Sequence, residues 1–179
     1  MTCTAFDGFR RIAVGELDKV AVEARRALES GAAGPVLIFD DTTGRVIDLD
    51  MRLNEDAMLA ALEPPARERG RPKLGVVARE VTLLPRHWDW LKEQPGGASV
   101  ALRKLVEEAR RANGEKDRLR EQRDATYRFM SAMAGDLPDF EEASRALFMG
   151  DRERFEALIG KWPEDVRNHL NIMPPTANS

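Results

Sequence analysis

The chain is poor in the side chains that build disulfides and metal sites. It has one cysteine, Cys3, and two histidines, His87 and His169, among 179 residues. A single cysteine cannot form an internal disulfide, and one cysteine with two histidines far apart in sequence makes no zinc-binding set. We therefore expect no disulfide framework, no resident metal and no other cofactor.

Long apolar runs are also missing. No stretch approaches the roughly 18 apolar residues that a membrane helix needs. The first residues show no basic region followed by an apolar segment, so no signal peptide is expected. With 42% hydrophobic and 33% charged residues, the composition is that of a globular protein of one domain or two small ones. We expect a cytoplasmic protein without a membrane-spanning part.

Sequence patterns of common enzymes are missing as well. We find no glycine-rich phosphate loop and no Gly-x-Ser-x-Gly nucleophile turn. His87 is more simply a surface or dimer-interface residue than a catalytic base. Four aspartates cluster near one turn without the spacing of an EF-hand: Asp40, Asp41, Asp48 and Asp50. Turn capping explains these aspartates more simply than Mg²⁺ or Ca²⁺ binding, so we predict no metal site. Because the enzyme motifs are missing too, we predict that the protein is not an enzyme.

Positive charge is concentrated in the middle of the chain. Residues 64–128 carry 16 Lys and Arg against 10 Asp and Glu, a net charge of +6. The flanking residues 1–63 and 129–179 carry net charges of −5 and −4. A basic segment between acidic ends fits the binding of a polyanion such as DNA. It fits equally a basic face that docks on the acidic ends of the same chain.

Residues 1–62 predict a small α+β module with the element order β-β-α-β-β. Asp7-Gly8 suits a two-residue turn because both positions tolerate positive φ, which predicts a hairpin over residues 2–14. A helix with one apolar face is predicted from about Glu16 to Ser30, and Gly31 ends it.

Two further strands and a short helix complete this module. The apolar run Val36–Phe39 predicts a buried strand, and residues 40–44 have turn chemistry. Val46–Leu49 predicts a return strand after that turn. Asn54 is placed to cap a short helix over residues 55–62.

Residues 113–173 predict an all-α part of the chain. A long basic helix runs from about Ser99 past Arg128, with a possible break at Asn113-Gly114. Three short helices follow, and each begins near a proline or an aspartate: Pro138, Asp151 and Pro163. Residues 174–179 are predicted to form a frayed tail.

Residues 63–75 predict a linker and basic arm, because prolines, a glycine and a charge run continue neither a helix nor a strand. Within it, Arg69-Gly70-Arg71-Pro72-Lys73 resembles the core of the AT-hook. The resemblance implies that the Arg-Gly-Arg backbone lies in the narrow minor groove of A·T-rich DNA, whose negative potential attracts guanidinium groups. It implies DNA contacts by four of these residues: Arg69, Gly70, Arg71 and Lys73.

Residues 76–112 continue with the pattern of a strand and two helices. Segment 76–84 is apolar and rich in β-branched residues, and Pro85 opens a helix that Pro95-Gly96-Gly97 ends. Ser99 is placed to cap the second helix. The apolar residues of that helix recur at helical spacing: Leu102, Leu105, Val106 and Ala109.

This arm, strand and helix pair resembles the ribbon–helix–helix family of bacterial DNA-binding proteins. The resemblance implies a homodimer in which the 76–84 strands of two chains pair into an antiparallel ribbon that enters the major groove. Arg79 and Thr82 would then be the strand contacts to DNA. Arg86 would reach the flanking DNA backbone, and the start of the second helix at Ser99 would hold a phosphate.

The strand departs from a base-reading ribbon in its alternate positions. Arg79 shares one face with Val81 and Leu83, whereas Thr82 shares the other face with Glu80. Neither face is a clear reading surface for DNA. The strand therefore also fits a dimer ribbon that reads no bases.

Nearly the full length of the chain is similar to a bacterial family, domain of unknown function 2239. The likeness is carried by the phrases Phe39–Gly44, Arg79–Trp88 and Gln94–Ser99. This resemblance implies no activity. The leading prediction is a dimeric DNA-binding protein, a transcriptional regulator or antitoxin-like repressor. The alternative is a protein-interaction module that dimerises without sequence-specific DNA binding, and an enzyme ranks third.

Overall fold

The architecture is that of a computed structural model, which describes residues 1–62, 75 and 77–173. The basic arm 69–73 and the tail 174–179 lie outside the described residues. Within the described chain, residues 1–62 and 118–173 form a first unit, and residues from 75 to 117 belong to a second unit. The fold is mixed α+β, as predicted.

The first unit begins with an antiparallel sheet in the order β2-β1-β3, where β1 is Thr2–Asp7, β2 is Arg10–Glu16 and β3 is Val36–Asp40. The predicted hairpin joins β1 to β2, but its turn lies one residue later, at Gly8-Phe9. Asp7 stays in the strand because its carboxylate accepts a hydrogen bond of 2.8 Å from the Gly34 backbone N–H. Gly8 has φ of 57°, which suits glycine in such a turn.

The predicted return strand over residues 46–49 is reduced to one bridge, between Val46 and Phe39. The chain then leaves the sheet and forms local bonds instead. Asp50 accepts hydrogen bonds from both the backbone N–H and the guanidinium of Arg52. Such local side-chain bonds compete with pairing along a strand. The prediction of a fourth full strand was therefore wrong.

The helices of the described chain lie close to the predicted spans. Their bounds are α1 Leu17–Glu29, α2 Glu55–Leu62, α3 Pro85–Glu93, α4 Gly97–Ala134, α5 Phe140–Met149, α6 Arg152–Ile159 and α7 Glu164–Ile172. The predicted cap of α2 is confirmed, because Asn54 Oδ1 accepts a hydrogen bond of 2.8 Å from Ala57 N. α4 runs without interruption through Asn113-Gly114, where the Asn113 amide donates to the carbonyl of Ala109.

Alternate residues of the sheet point into two different apolar cores. Cys3, Ala5 and Ile38 are buried on the side of α1 and α2, in a core that also contains Val20 and Met58. The opposite side packs against the carboxy-terminal helices, and its buried residues include Phe6, Phe39, Phe129, Met130, Leu147, Val166 and Leu170. Because β3 is covered on both faces, its apolar residues form one continuous run rather than an alternating pattern.

The amino-terminal sheet and the carboxy-terminal helices therefore share one core. The ring of Phe6 lies 6.0 Å from that of Phe39 and 5.6 Å from that of Phe129 on α4. Gly44 lies so close to α4 that a Cβ atom there would overlap the carbonyl of Ala125. Arg128 of the same helix donates a hydrogen bond of 3.0 Å to the carbonyl of Thr43. These contacts join segments that are far apart in sequence.

Candidate functional site

The second unit consists of α3, the start of α4 and the segment that precedes them. Leu84 precedes α3 with an extended backbone and Pro85 occupies its first turn, where a missing N–H costs nothing. Gly96 and Gly97 have φ of 86° and 72°, which lets the chain reverse between the two helices. α4 begins at Gly97, so Ser99 lies inside its first turn. A cap at Ser99 would require this residue to precede the helix, and the predicted cap was therefore wrong.

Residues 77–84 form no strand with any other part of the described chain. The backbone bonds that this segment makes to described residues are those at Leu84 O, which accepts from His87 N at 2.9 Å and from Trp88 N at 3.3 Å. Its other backbone N–H and C=O groups make no such bond within the described residues, which leaves the segment as an unpaired edge there. The predicted ribbon of residues 76–84 requires such a chain, and position 76 lies outside the described residues.

The helix pair has an apolar face that its own residues do not cover. Leu91 and Ala101 are the buried apolar residues among those described in this unit. A cavity of about 280 Å³ opens beside Leu91 and is lined by Leu83, His87, Trp90, Leu91, Leu102 and Leu105. Large apolar side chains of this unit are exposed, and two of them, Trp90 and Leu105, line the cavity; the exposed residues are Val77, Val81, Leu84, Trp90, Leu105 and Val106. The name apolar face is used below for these exposed residues together with the residues that line the cavity.

Exposed residues continue from the apolar face along α4. Every residue from 103 to 116 is exposed, including three of the four positions of the predicted apolar stripe, Leu105, Val106 and Ala109. A helix with an exposed stripe of this kind is typical of one that buries the stripe against a partner. Trp90 is 49% exposed whereas Trp88 is half-buried, so the two tryptophans lie in different environments.

The predicted DNA contacts that the structure describes lie on the surface of this unit. Arg79, Thr82, Arg86 and Ser99 are all exposed. Neither Arg79 nor Arg86 forms an ion pair with another described residue, in contrast to Arg110 and Arg111, which both pair with Glu107. The other predicted contacts fall in the arm, outside the described residues: Arg69, Gly70, Arg71 and Lys73.

The first unit contains a buried polar cluster that no sequence pattern predicted. Thr4, Asp41 and His169 meet in the core, where His169 is 1% exposed and its Nε2 lies 3.7 Å from Asp41 Oδ1. Both ring nitrogens of His169, Thr4 Oγ1 and Asp41 Oδ1 make no hydrogen bond with a described residue. The neighbours Val166 and Leu170, three positions before and one after His169, are a sequence signal that this histidine faces the core.

Burial controls the protonation of this cluster. It lowers the pKa of His169 to about 4, and the nearby positive charge of Arg11 acts in the same direction. Burial also raises the pKa of the Asp41 carboxyl, against the opposing effect of the Thr4 hydroxyl. That hydroxyl acts as a nearby dipole, because its geometry is not that of a hydrogen bond. His169 is therefore neutral at neutral pH.

Two of the four aspartates near the turn, Asp40 and Asp50, have local structural partners. Asp40 accepts hydrogen bonds from the backbone and side chain of the turn at Thr42 and Thr43. Asp50 is paired with Arg52. In the part of the chain that the structure describes, no three His, Cys, Asp or Glu side chains gather as a metal-binding group.

The fold and surface define an α+β protein that combines a sheet–helix unit with a helix pair whose apolar face is uncovered. The chain belongs to the family DUF2239, described as an uncharacterized protein conserved in bacteria, and the match covers residues 2–173. No curated protein and no solved structure matches it. Among the described helices, none has both the length and the apolar character of a membrane span.

Proposed function

We propose that the chain is a homodimeric DNA-binding protein whose second unit forms the dimer. The observation that carries this proposal is the apolar face beside a segment with unpaired backbone groups. Leu105 and Trp90 are 44% and 49% exposed, although both line the same cavity as the buried Leu91. Two copies that place their apolar faces together would bury these side chains, and their 77–84 segments would pair as an antiparallel ribbon.

Surface charge supports DNA as the partner of this dimer. Arg79 within the 77–84 segment and Arg86 two residues after it have no carboxylate partner among the described residues. The start of α4, with Ser99 in its first turn, presents backbone N–H groups that favour a phosphate. In the proposal, the arm residues Arg69, Gly70, Arg71 and Lys73 follow an A·T-rich minor groove. Thr82 lies between Arg79 and Arg86 and contacts the base edges or the backbone.

The DNA part of the proposal is tested by fluorescence anisotropy with A·T-rich and G·C-rich duplexes at several salt concentrations. We expect log K to fall with log salt by about 0.9 for each phosphate contact. Replacing both Arg69 and Arg71 with alanine should therefore reduce the slope by roughly 2 and remove the preference for A·T-rich DNA. The matched control replaces Arg26 and Arg145, two exposed arginines of the first unit, and should leave the slope unchanged.

The dimer part is tested by sedimentation of Trp90→Ser and Leu105→Ser variants. Loss of a large side chain from an interface centre costs about 2 kcal/mol, which raises the dimer Kd roughly thirtyfold. The control is Leu28→Ser, because Leu28 of α1 is 43% exposed in the first unit and should not change the mass. A wild-type chain that stays monomeric at high concentration contradicts the proposed dimer.

The alternative function is a dimerisation module that binds no specific DNA sequence. The same apolar face favours it, and the apolar positions Val81 and Leu83 beside Arg79 make the ribbon a poor reader of bases. A wild-type dimer that binds no duplex at low salt would favour this alternative over the DNA-binding protein.

A further inference from the structure

A polar cavity lies between α6 and α7 of the first unit, apart from the features described so far. It has a volume of about 470 Å³, within the range of small-molecule sites. Arg152 and Glu156 line it from α6, and Arg167, Asn168 and Asn171 line it from α7. Two arginines and two asparagines therefore line one cavity.

Arg167 has no charge partner in this cavity. Its Nε is buried and makes no hydrogen bond with another described residue, and no described carboxylate forms an ion pair with it. An arginine stays protonated in proteins, and a buried donor of a charged group without a partner is costly. An anion in the cavity would neutralise this guanidinium, of which Arg167 Nε is the buried nitrogen.

The second arginine is already partly neutralised. Arg152 Nε lies 2.7 Å from Glu156 Oε1, and both side chains are about half exposed, at 47% and 49%. With Arg152 and Arg167 positive and Glu156 negative, the cavity keeps a net positive charge. The exposed amides of Asn168 and Asn171, three residues apart on α7, add neutral donors on the same helix.

We propose that this cavity binds the oxyanion group, phosphate or carboxylate, of a small molecule. The Arg167 guanidinium donates to two of its oxygens, as planar guanidinium groups do with carboxylate and phosphate. Asn168 and Asn171 donate to the remaining oxygens. The free oxygen of Glu156 accepts from a hydroxyl or amine elsewhere on the ligand, which gives preference to ligands that carry a donor beside the anion.

Inorganic phosphate and acetate are the probes. Their binding to the full chain is measured by calorimetric titration and by thermal unfolding, with sodium chloride keeping the ionic strength constant. We expect one of them to bind at one site and to raise Tm, which also shows whether phosphate or carboxylate is preferred. Arg167→Gln should raise the Kd at least about thirtyfold, because it removes a desolvated charged donor. The matched control Arg154→Gln, on α6 but paired with Glu142, should keep wild-type affinity.

A second variant separates binding from folding. Arg167→Met removes the unpartnered buried donor, so it should raise Tm without ligand and abolish the rise that the anion causes. No binding of either probe to the wild type overturns the proposal, as does an equal loss of affinity in Arg154→Gln. If neither probe binds and Arg167→Gln instead lowers the salt slope of DNA binding, the oxyanion is a DNA phosphate and the small-molecule assignment is wrong. Failure of the dimer or DNA tests leaves this site unaffected.

Discussion

His169 Nε2 and Asp41 Oδ1 lie 3.7 Å apart in the core of the first unit, close enough to interact but without a hydrogen bond. The ring of His169 packs against those of Phe6 and Phe129, with centroid distances of 5.5 Å and 4.4 Å. A titratable ring therefore forms part of the aromatic core where the sheet meets α4 and α7. Its protonation is coupled to the stability of the whole unit.

Stability should fall on mild acidification because of His169. Its pKa is about 6.5 when unfolded and about 4 when folded. Between these values the unfolded state binds a proton that the folded state does not, so the free energy of unfolding decreases as pH falls. The decrease reaches roughly 3 kcal/mol by pH 4 and is complete below it. The raised pKa of Asp41 acts oppositely at the acid end, because the folded state binds that proton first, and it offsets part of the loss.

Urea unfolding followed from about pH 7 to about pH 4 measures this effect. The variant His169→Phe keeps an aromatic ring against Phe6 and Phe129 but cannot titrate, so its stability should change less over that range. His87→Gln is the control, because His87 is the other histidine and lies exposed on α3. A wild-type profile as flat as that of His169→Phe would show that His169 does not set the acid sensitivity.

Local signals predicted the elements of this fold, and contacts distant in sequence were not predicted. The Asn54 cap and the apolar stripe of α1 depend on residues within a few positions of each other, so both are visible in the sequence. The shared core instead joins Phe6 to Phe129, and the helical spacing around His169 does not say which element covers it. The return strand at residues 46–49 is an exception, because local bonds of Asp50 with Arg52 follow it and the apolar pattern alone did not show that the strand is reduced to one bridge.

The candidate site was predicted unevenly for a related reason. The two helices around the turn at Gly96-Gly97 follow from periodicity and turn chemistry, and α3 and α4 confirm them. The ribbon of residues 76–84 depends on a second chain, so its pairing stays a prediction. The cavity at Arg167 had no sequence signal, because its residues come from two helices whose packing is set by the core.

Gly44 should tolerate no larger residue, because the turn after β3 packs directly on α4. A Cβ at position 44 would overlap the carbonyl of Ala125, and the φ of 65° adds backbone strain for any L side chain. We expect Gly44→Ala to lower the free energy of unfolding by roughly 2–5 kcal/mol from overpacking and strain together. Urea unfolding measures the change.

The same substitution at Gly114 is a control, because it should change the stability in the opposite direction. It lies inside α4, where a Cβ would meet no heavy atom within 4 Å. Gly114→Ala should therefore stabilise its helix by about 0.5–1 kcal/mol, the usual gain for this change in a helix interior. If both variants lose stability equally, the close approach of the turn to α4 is not the cause.

The shared core predicts energetic coupling between the amino-terminal sheet and α4. Phe6 and Phe129 are in ring contact at 5.6 Å, so replacing both with leucine should cost less than the sum of the single changes. The expected coupling is about 0.5–1.5 kcal/mol in a double-mutant cycle measured by urea unfolding. The control cycle pairs Phe6→Leu with Met58→Ala, because Met58 lies in the other core, and should be additive within about 0.5 kcal/mol. Additivity in the first cycle would mean that the sheet and α4 stabilise the unit independently, and the two halves of the first unit would then not form one core.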